Sequence, residues 1–194
     1  MKKCILNLST RNGWYPSGQK RLIESLRSNF DGDVLSWLGE ETLGCPSHTQ
    51  VPYGFKPYAF KKAIEAGYDV ALWLDCSAWA IKNMQPAFDA IEAKGHHFES
   101  CGAFVGQFST DACLNKHAIT RDEAMNILMF SSGVTGLNLR NSKSLEFVNQ
   151  WYEYANDGVS FQGDHRNVNG SCSQDHRVFG HRHDQTVAGI IANK

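Results

Sequence analysis

The sequence predicts an α/β domain in which a mostly parallel central sheet is flanked by helices. Three observations predict it. Val70 to Leu74 is an unbroken apolar run with a β-branched start, set between Ala66-Gly67 and Asp75. A run of that length bounded by turn residues reads as a strand buried on both faces. Residues 3–9, 18–28 and 34–38 carry strand, helix and strand patterns in succession, and a βαβ start of this kind gives parallel pairing. The 194 residues, with five Trp and eleven Phe, are enough for one domain with a substantial core.

Taken in order, the first strand ends at Ser9 and a polar turn, Thr10 to Gly18, carries Arg11, Trp14 and Tyr15. Ser17 is placed to cap a helix over 18–28, with Leu22, Ile23, Leu26 and Phe30 as its apolar stripe. Asp31-Gly32-Asp33 turns the chain into the second strand. Residues 39–55 hold Gly39, Gly44, Pro46, Pro52 and Gly54 and read as a long irregular loop, of the kind that often binds ligands. A helix over 55–66 leads into the strand at 70–74. Further helices are expected over 86–93, closed by Gly95, and over 142–154, with Leu145, Val148, Trp151 and Tyr152 on one side. Strands are expected at 96–100 and through Val134 to Leu139, with short helical pieces over 110–117 and 121–128. Residues 157–180 are polar and Gly-rich, and a short helix over 184–192 ends the chain.

The net charge of −1 gives no global electrostatic case for nucleic acid or an anionic membrane. No apolar run approaches the ~20 residues that span a bilayer. Met1 to Leu8 holds no apolar stretch of signal-peptide length, so a cytoplasmic protein is expected. The six cysteines are scattered without a CxxC pair, which reads as reduced thiols.

Candidate chemistry falls in two clusters. In a wound sheet, ligands sit at the carboxyl ends of the strands. There lie Ser9-Thr10-Arg11, Asp75-Cys76-Ser77 and Ser131-Ser132-Gly133. Hydroxyls, amides and an arginine suit a nucleotide, and an acid suits a ribose hydroxyl or a divalent ion. Asp75 is equally placed to cap the turn after its strand. The second cluster is the tail, where Arg166, Arg177 and Arg182 accompany His165, His176, His181 and His183, followed by Asp184. Arginines at this density match phosphate or acceptor recognition. Asp184 also suits the start of the last helix, where the dipole favours its charge. Cys172, His176, His181 and His183 have zinc-ligand chemistry, but C-x3-H-x4-H-x-H is not a common structural spacing.

These residues resemble a known family. Leu72-Trp73-Leu74-Asp75-Cys76-Ser77 resembles the strand and D-x-D motif of GT-A nucleotide-diphospho-sugar glycosyltransferases, and Tyr53-Gly54-Phe55-Lys56-Pro57 is similar to the segment that approaches it in bacterial and viral members. Ser131 to Leu139 resembles the N-A-G-V-x-G-x-N-like strand near the donor sugar, and His183-Asp184-Gln185-Thr186 the H-D-Q element at the last helix. The four motifs stand in the family's order across most of the chain.

The resemblance implies a single domain over 1–194, with a nucleotide-binding half over 1–80 and a donor-sugar and acceptor half over 81–194. It implies that Ser9, Thr10 and Arg11 contact the nucleotide, and that Asp75 and Ser77 meet the ribose and diphosphate, through Mn2+ or Mg2+ if a metal is used. Ser132 and Gly133 would lie against the transferred sugar. Asp184 would face the reacting centre as a base or a sugar-positioning group. His181 or His183 would complete a metal shell with Asp75, or hold the diphosphate, with Arg177 or Arg182 as a second cation. Ser77 replaces the family's second acid, and a hydroxyl is a poorer ligand for a hard cation than a carboxylate. Either Asp75 and a tail histidine hold the ion, or arginines neutralise the diphosphate without one. The expected partners are a nucleotide-sugar donor and an acceptor of open class: glycan, lipid, protein or modified nucleobase. A nucleotidyltransferase on the same type of sheet and a zinc-stabilised binding module are the alternatives.

Overall fold

A computed structural model describes residues 1–194. Its centre is a five-stranded sheet in the order β2-β1-β3-β5-β4. The strands are β1 (Lys3–Ser9), β2 (Asp33–Leu38), β3 (Val70–Leu74), β4 (His96–Phe104) and β5 (Leu128–Asn138). β1 pairs in parallel with both β2 and β3. β5 runs antiparallel to β3 and to β4, so four strands share one direction and β5 alone opposes them. The GT-A-like α/β architecture expected from the sequence is the one found.

Alternation along the strands fixes the two faces of the sheet. Cys4, Leu6 and Leu8 of β1 and Ala71 and Trp73 of β3 pack on one side with α3 (Phe55–Glu65), α7 (Ser142–Ala155) and α8 (His183–Ala192). Ile5, Val70, Leu72 and Leu74 pack on the other with Leu22 and Leu26 of α1 (Tyr15–Leu26) and Phe88 and Ile91 of α4 (Gln85–Lys94). Asp75 continues the Trp73 alternation, so its side chain follows the α3 and α8 side. The amino ends of α3 and α8 meet the carboxyl end of β3 there, and this convergence builds the site.

Three local expectations are corrected. α1 begins at Tyr15, two residues before Ser17, with Pro16 in its first turn and no side-chain cap. Proline is pre-organised for the first helical position, which places Ser17 inside the helix. β4 runs on to Phe104 rather than Ser100, through register shifts after Phe98 and Ser100. The loop over 39–55 contains a four-residue helix, α2 (Glu40–Leu43), with Gly44 in the left-handed region at its end. Two short helices, α5 (Asp111–Lys116) and α6 (Arg121–Ala124), are capped by Thr110 and Thr120. No helix is long and apolar enough to cross a membrane.

Candidate functional site

Asp75 ends β3 and is pinned from three sides. Its backbone N–H donates to Gly133 O across the β3–β5 ladder at 2.9 Å. The indole Nε1–H of Trp73 donates to Oδ1 at 2.6 Å. The ammonium of Lys56, in the first turn of α3, stands 3.4 Å from the same oxygen. A Cβ on Gly133 would come within 3.3 Å of Oδ2, so the absence of a side chain there leaves that oxygen its space.

Lys56 is the hub of the site, and its side chain is only 2 % exposed. Nζ donates to Ser132 Oγ at 2.8 Å and Ser132 O at 3.0 Å, and lies 2.9 Å from Asp184 Oδ2. Ser132 Oγ donates to the same Asp184 oxygen at 2.5 Å. Burial disfavours the charged lysine, but Asp184 and Asp75 outweigh it and hold its pKa above the ordinary value. Asp184 is itself buried. Its backbone carbonyl accepts from Trp151 Nε1 at 3.2 Å, and its second oxygen, Oδ1, takes no hydrogen bond from the protein. One cation thus joins the end of β3, the middle of β5 and the start of α8. Removing one partner of such a buried pair strands the other charge, at a cost of about 3–5 kcal/mol.

Beside this network opens a cleft of about 690 Å3. Thr10, Arg11, Trp14 and Tyr15 form one wall, and Asp75 and Ser77 line it across from Glu41, His48 and Tyr53. Trp14 and Tyr15 stack with centroids 4.7 Å apart and stand about half exposed. Arg11 reaches across the mouth to Glu41, its Nε donating at 2.8 Å. A second hollow of about 500 Å3 lies between β4 and α7 and holds neither Asp75 nor Asp184.

The structure therefore brings Thr10, Arg11, Asp75, Ser77, Ser132, Gly133 and Asp184 to one end of the sheet. Ser9 lies beneath them, fully buried, its hydroxyl turned to Thr10 O at 2.7 Å. The tail arginines go elsewhere. Arg177 is held by Asp175 and Asp122, the latter on α6, at 2.6 and 2.9 Å. Arg182 donates to His165 O at 2.7 Å, with its guanidinium 4.7 Å from the Phe108 ring centroid. Two acids occupy Arg177 and a backbone carbonyl with a ring occupies Arg182, so neither arginine is free for a diphosphate.

The two histidines expected at a metal part company. His181 is fully buried, its Nε2 3.0 Å from Ser160 O and its Nδ1 accepting from the Thr110 amide. Both ring nitrogens are spent on the backbone, and burial pushes its pKa down to about 3. That corrects its expected role as a ligand. His183 donates Nδ1–H to Phe161 O at 3.0 Å, which leaves Nε2 as a lone pair without a protein partner. Nowhere do three His, Cys, Asp or Glu side chains come together as a metal-holding group. Cys172 donates its thiol to Asp164 O instead of meeting His181 or His183, so the zinc-knuckle alternative lacks its ligand set. Asp75 Oδ2 and His183 Nε2 are two donors, Ser77 offers a hydroxyl, and Lys56 already supplies a cation. These residues do not fit a metal site made by the protein alone.

In the sequence Lys56 stands out only as part of the segment Tyr53 to Pro57. Its signal was position: a cation in the first turn of a helix opposes the dipole, which is unfavourable unless acids are close.

Comparison with known proteins bears on fold alone. No family model and no curated protein matches the chain. Mouse xyloside xylosyltransferase 1 in its apo form superposes with a TM-score of 0.50 at 12 % identity, over 100 % of this chain and 82 % of that one. The bifunctional glycosyltransferase WbbM gives 0.49 at 11 %, over 78 % of this chain and 34 % of its own, so the chain spans about a third of that protein. The galactosyltransferase LgtC, solved with donor and acceptor sugar analogs, gives 0.40 at 14 %, over 81 % and 67 %. The chain has the GT-A-like fold of nucleotide-sugar glycosyltransferases.

Proposed function

We propose that the protein transfers a sugar from a nucleotide-diphosphate donor to an acceptor hydroxyl. The observation that carries this is the meeting of Asp75, Ser132 and Asp184 around Lys56, at the carboxyl end of β3 and beside a cleft of nucleotide size. The cleft wall from Thr10 to Tyr15 receives the nucleotide. Asp75 Oδ2 and Ser77 face its ribose and diphosphate, and Ser132 and Gly133 border the sugar.

In the transfer, the bond from the anomeric carbon to the phosphate oxygen breaks and a bond to the acceptor oxygen forms. Negative charge grows on the departing diphosphate, and fixed charges that need no reorganisation stabilise it best. Arg11, more than half exposed and held only by Glu41, is the cation able to swing onto the phosphates. The acceptor loses a proton, and Asp184 Oδ1 is the open carboxylate oxygen for it or for a sugar hydroxyl. Lys56 fixes Asp184 and Asp75 in place through its ion pairs.

Asp75→Ala and Asp184→Ala test this reading. Each should abolish transfer while leaving the circular dichroism spectrum native, and full activity in both would overturn it. The donor class comes from the thermal shift with UDP, GDP, dTDP or CDP. At about one hundred times its dissociation constant, a nucleotide adds roughly 2.7 kcal/mol, on the order of 5–10 °C in a chain of this size.

A further inference from the structure

Four side-chain rings run in a row past Asp184. His48 meets Tyr53 edge-on, centroids 4.6 Å apart; Tyr53 lies 5.7 Å from His183; His183 lies 6.2 Å from a near-parallel His165. The row starts on the cleft wall, where His48 and Tyr53 stand. It passes His183, next to Asp184 in the chain, and ends at His165, exposed on the loop before α8.

Two of these residues hold an uncommon backbone. Tyr53 has φ +59° and His183 φ +44°, in the left-handed region that costs a non-glycine residue of order 1 kcal/mol or more. Only Ala118 and Asn169 among the other non-glycine residues share it. Tyr53 packs against the main core and His183 is held by Phe161 O, and strain of this kind concentrates where ligands are gripped.

The polar atoms of the row are idle. The Tyr53 hydroxyl, the His48 and His165 ring nitrogens and His183 Nε2 make no hydrogen bond within the protein, although His183 is 4 % exposed. Burial disfavours the charged form of the His48 and His165 imidazoles. A neutral ring edge both donates and accepts, and a neutral ring face attracts polarised C–H groups rather than phosphate.

We propose that the row His48–Tyr53–His183–His165 is the acceptor subsite and that it takes a carbohydrate. A pyranose has an apolar C–H face and a rim of hydroxyls, which match the accessible His48, Tyr53 and His165 rings and the idle ring-edge atoms beside them, with buried His183 backing the row. A phosphate or a polyprenyl chain matches only one of the two. The assignment of acceptor, as opposed to donor sugar, rests on the transferase reading above: the donor takes the Thr10–Ser77 wall of the cleft, while the row starts opposite it at His48 and Tyr53 and leads to His183 and His165, which do not line the cleft. A glycan lying along it brings a hydroxyl to Asp184.

Saturation-transfer NMR with the methyl glycosides of glucose, galactose, mannose and N-acetylglucosamine tests this, with and without the nucleotide that stabilises the protein. At least one glycoside should receive saturation from the wild type. Its affinity should fall fivefold or more in His165→Ala and in Tyr53→Leu, and Tyr53→Phe should retain most of it. His165→Ala should leave the nucleotide-induced thermal shift unchanged. No saturation of any glycoside by the wild type overturns the proposal, as does equal binding by wild type, His165→Ala and Tyr53→Leu. Loss of nucleotide binding in His165→Ala would assign the row to the donor. Absence of any nucleotide shift strikes the transferase reading instead, and the glycoside result obtained without nucleotide still decides whether the rings hold sugar.

Discussion

The Lys56 ammonium lies 2.9 Å from Asp184 Oδ2 and belongs to a helix more than a hundred residues earlier in the chain. With the half-buried Asp75 on its other side, this lysine makes the burial of Asp184 tolerable. Replacing it with methionine keeps the volume and strands the buried charge of Asp184. Lys56→Met should lower unfolding stability by about 3–5 kcal/mol, read from urea midpoints, and abolish transfer. Lys56→Met combined with Asp184→Asn should regain part of the stability and none of the activity. If the single variant is as stable as wild type, Lys56 is not the charge anchor described.

Trp73 acts on Asp75 through one atom. Its ring is fully buried and packs 5.6 Å from Phe55, and its N–H fixes Asp75 Oδ1. Hydrogen bonds to a charged group contribute about 1.5–3 kcal/mol. Trp73→Phe preserves an aromatic filler but frees that oxygen, and should weaken nucleotide-diphosphate binding about tenfold. The same change in an Asp75→Ala background should have almost no further effect, because the indole's only polar partner is already gone. Additive losses in that cycle would mean that Trp73 serves packing alone.

How far the sequence could be read follows from what each residue depends on. Asp75, Ser132 and Asp184 sit at the ends of apolar runs and at a helix start, so local pattern located them. Lys56 depends on two acids that arrive from other elements, and no pattern near it reveals them. The tail shows the opposite failure. Arg177 and Arg182 look available in the sequence, yet Asp122, Asp175 and a backbone carbonyl occupy them in the fold. His181 and His183 are two residues apart and chemically identical; only the backbone groups around each ring separate a structural histidine from an open one. The strands were legible as far as β3, with parallel pairing of the first two but not the order β2-β1-β3. The antiparallel return of β5 was not, because nothing in the run from Phe130 to Leu139 states its direction.

The donor set bears on metal use. Asp75 Oδ2 and His183 Nε2 leave most of a hard cation's shell to waters and substrate phosphates, and the Lys56 ammonium already stands against Asp75. Nucleotide-diphosphate affinity, measured calorimetrically, should differ less than threefold between chelator and added Mn2+. Ser77→Asp should restore the second acid and make binding at least tenfold tighter with Mn2+. A strong metal dependence in the unaltered protein would show that the nucleotide itself completes the shell.

Two buried histidines set the acid limit of stability. Burial lowers His181 to about 3 and His117 to about 4. His117 Nε2 meets Ser160 Oγ at 3.1 Å, and its Nδ1 is buried without a partner. In the unfolded chain both would titrate near 6.5. As pH falls below that value the unfolded state takes up protons that the folded state refuses, so stability declines with acid. The loss begins near pH 6.5 and continues until the folded values are reached, near pH 4 for His117 and pH 3 for His181. At pH 5 each histidine should already cost about 2 kcal/mol relative to neutral pH. Together they should lower Tm by roughly 10 °C between pH 7.5 and pH 5. His117→Gln removes one titrating group and supplies an amide to Ser160, so scanning calorimetry across this range should show a shallower slope for the variant. An unchanged slope would place the acid sensitivity in other groups.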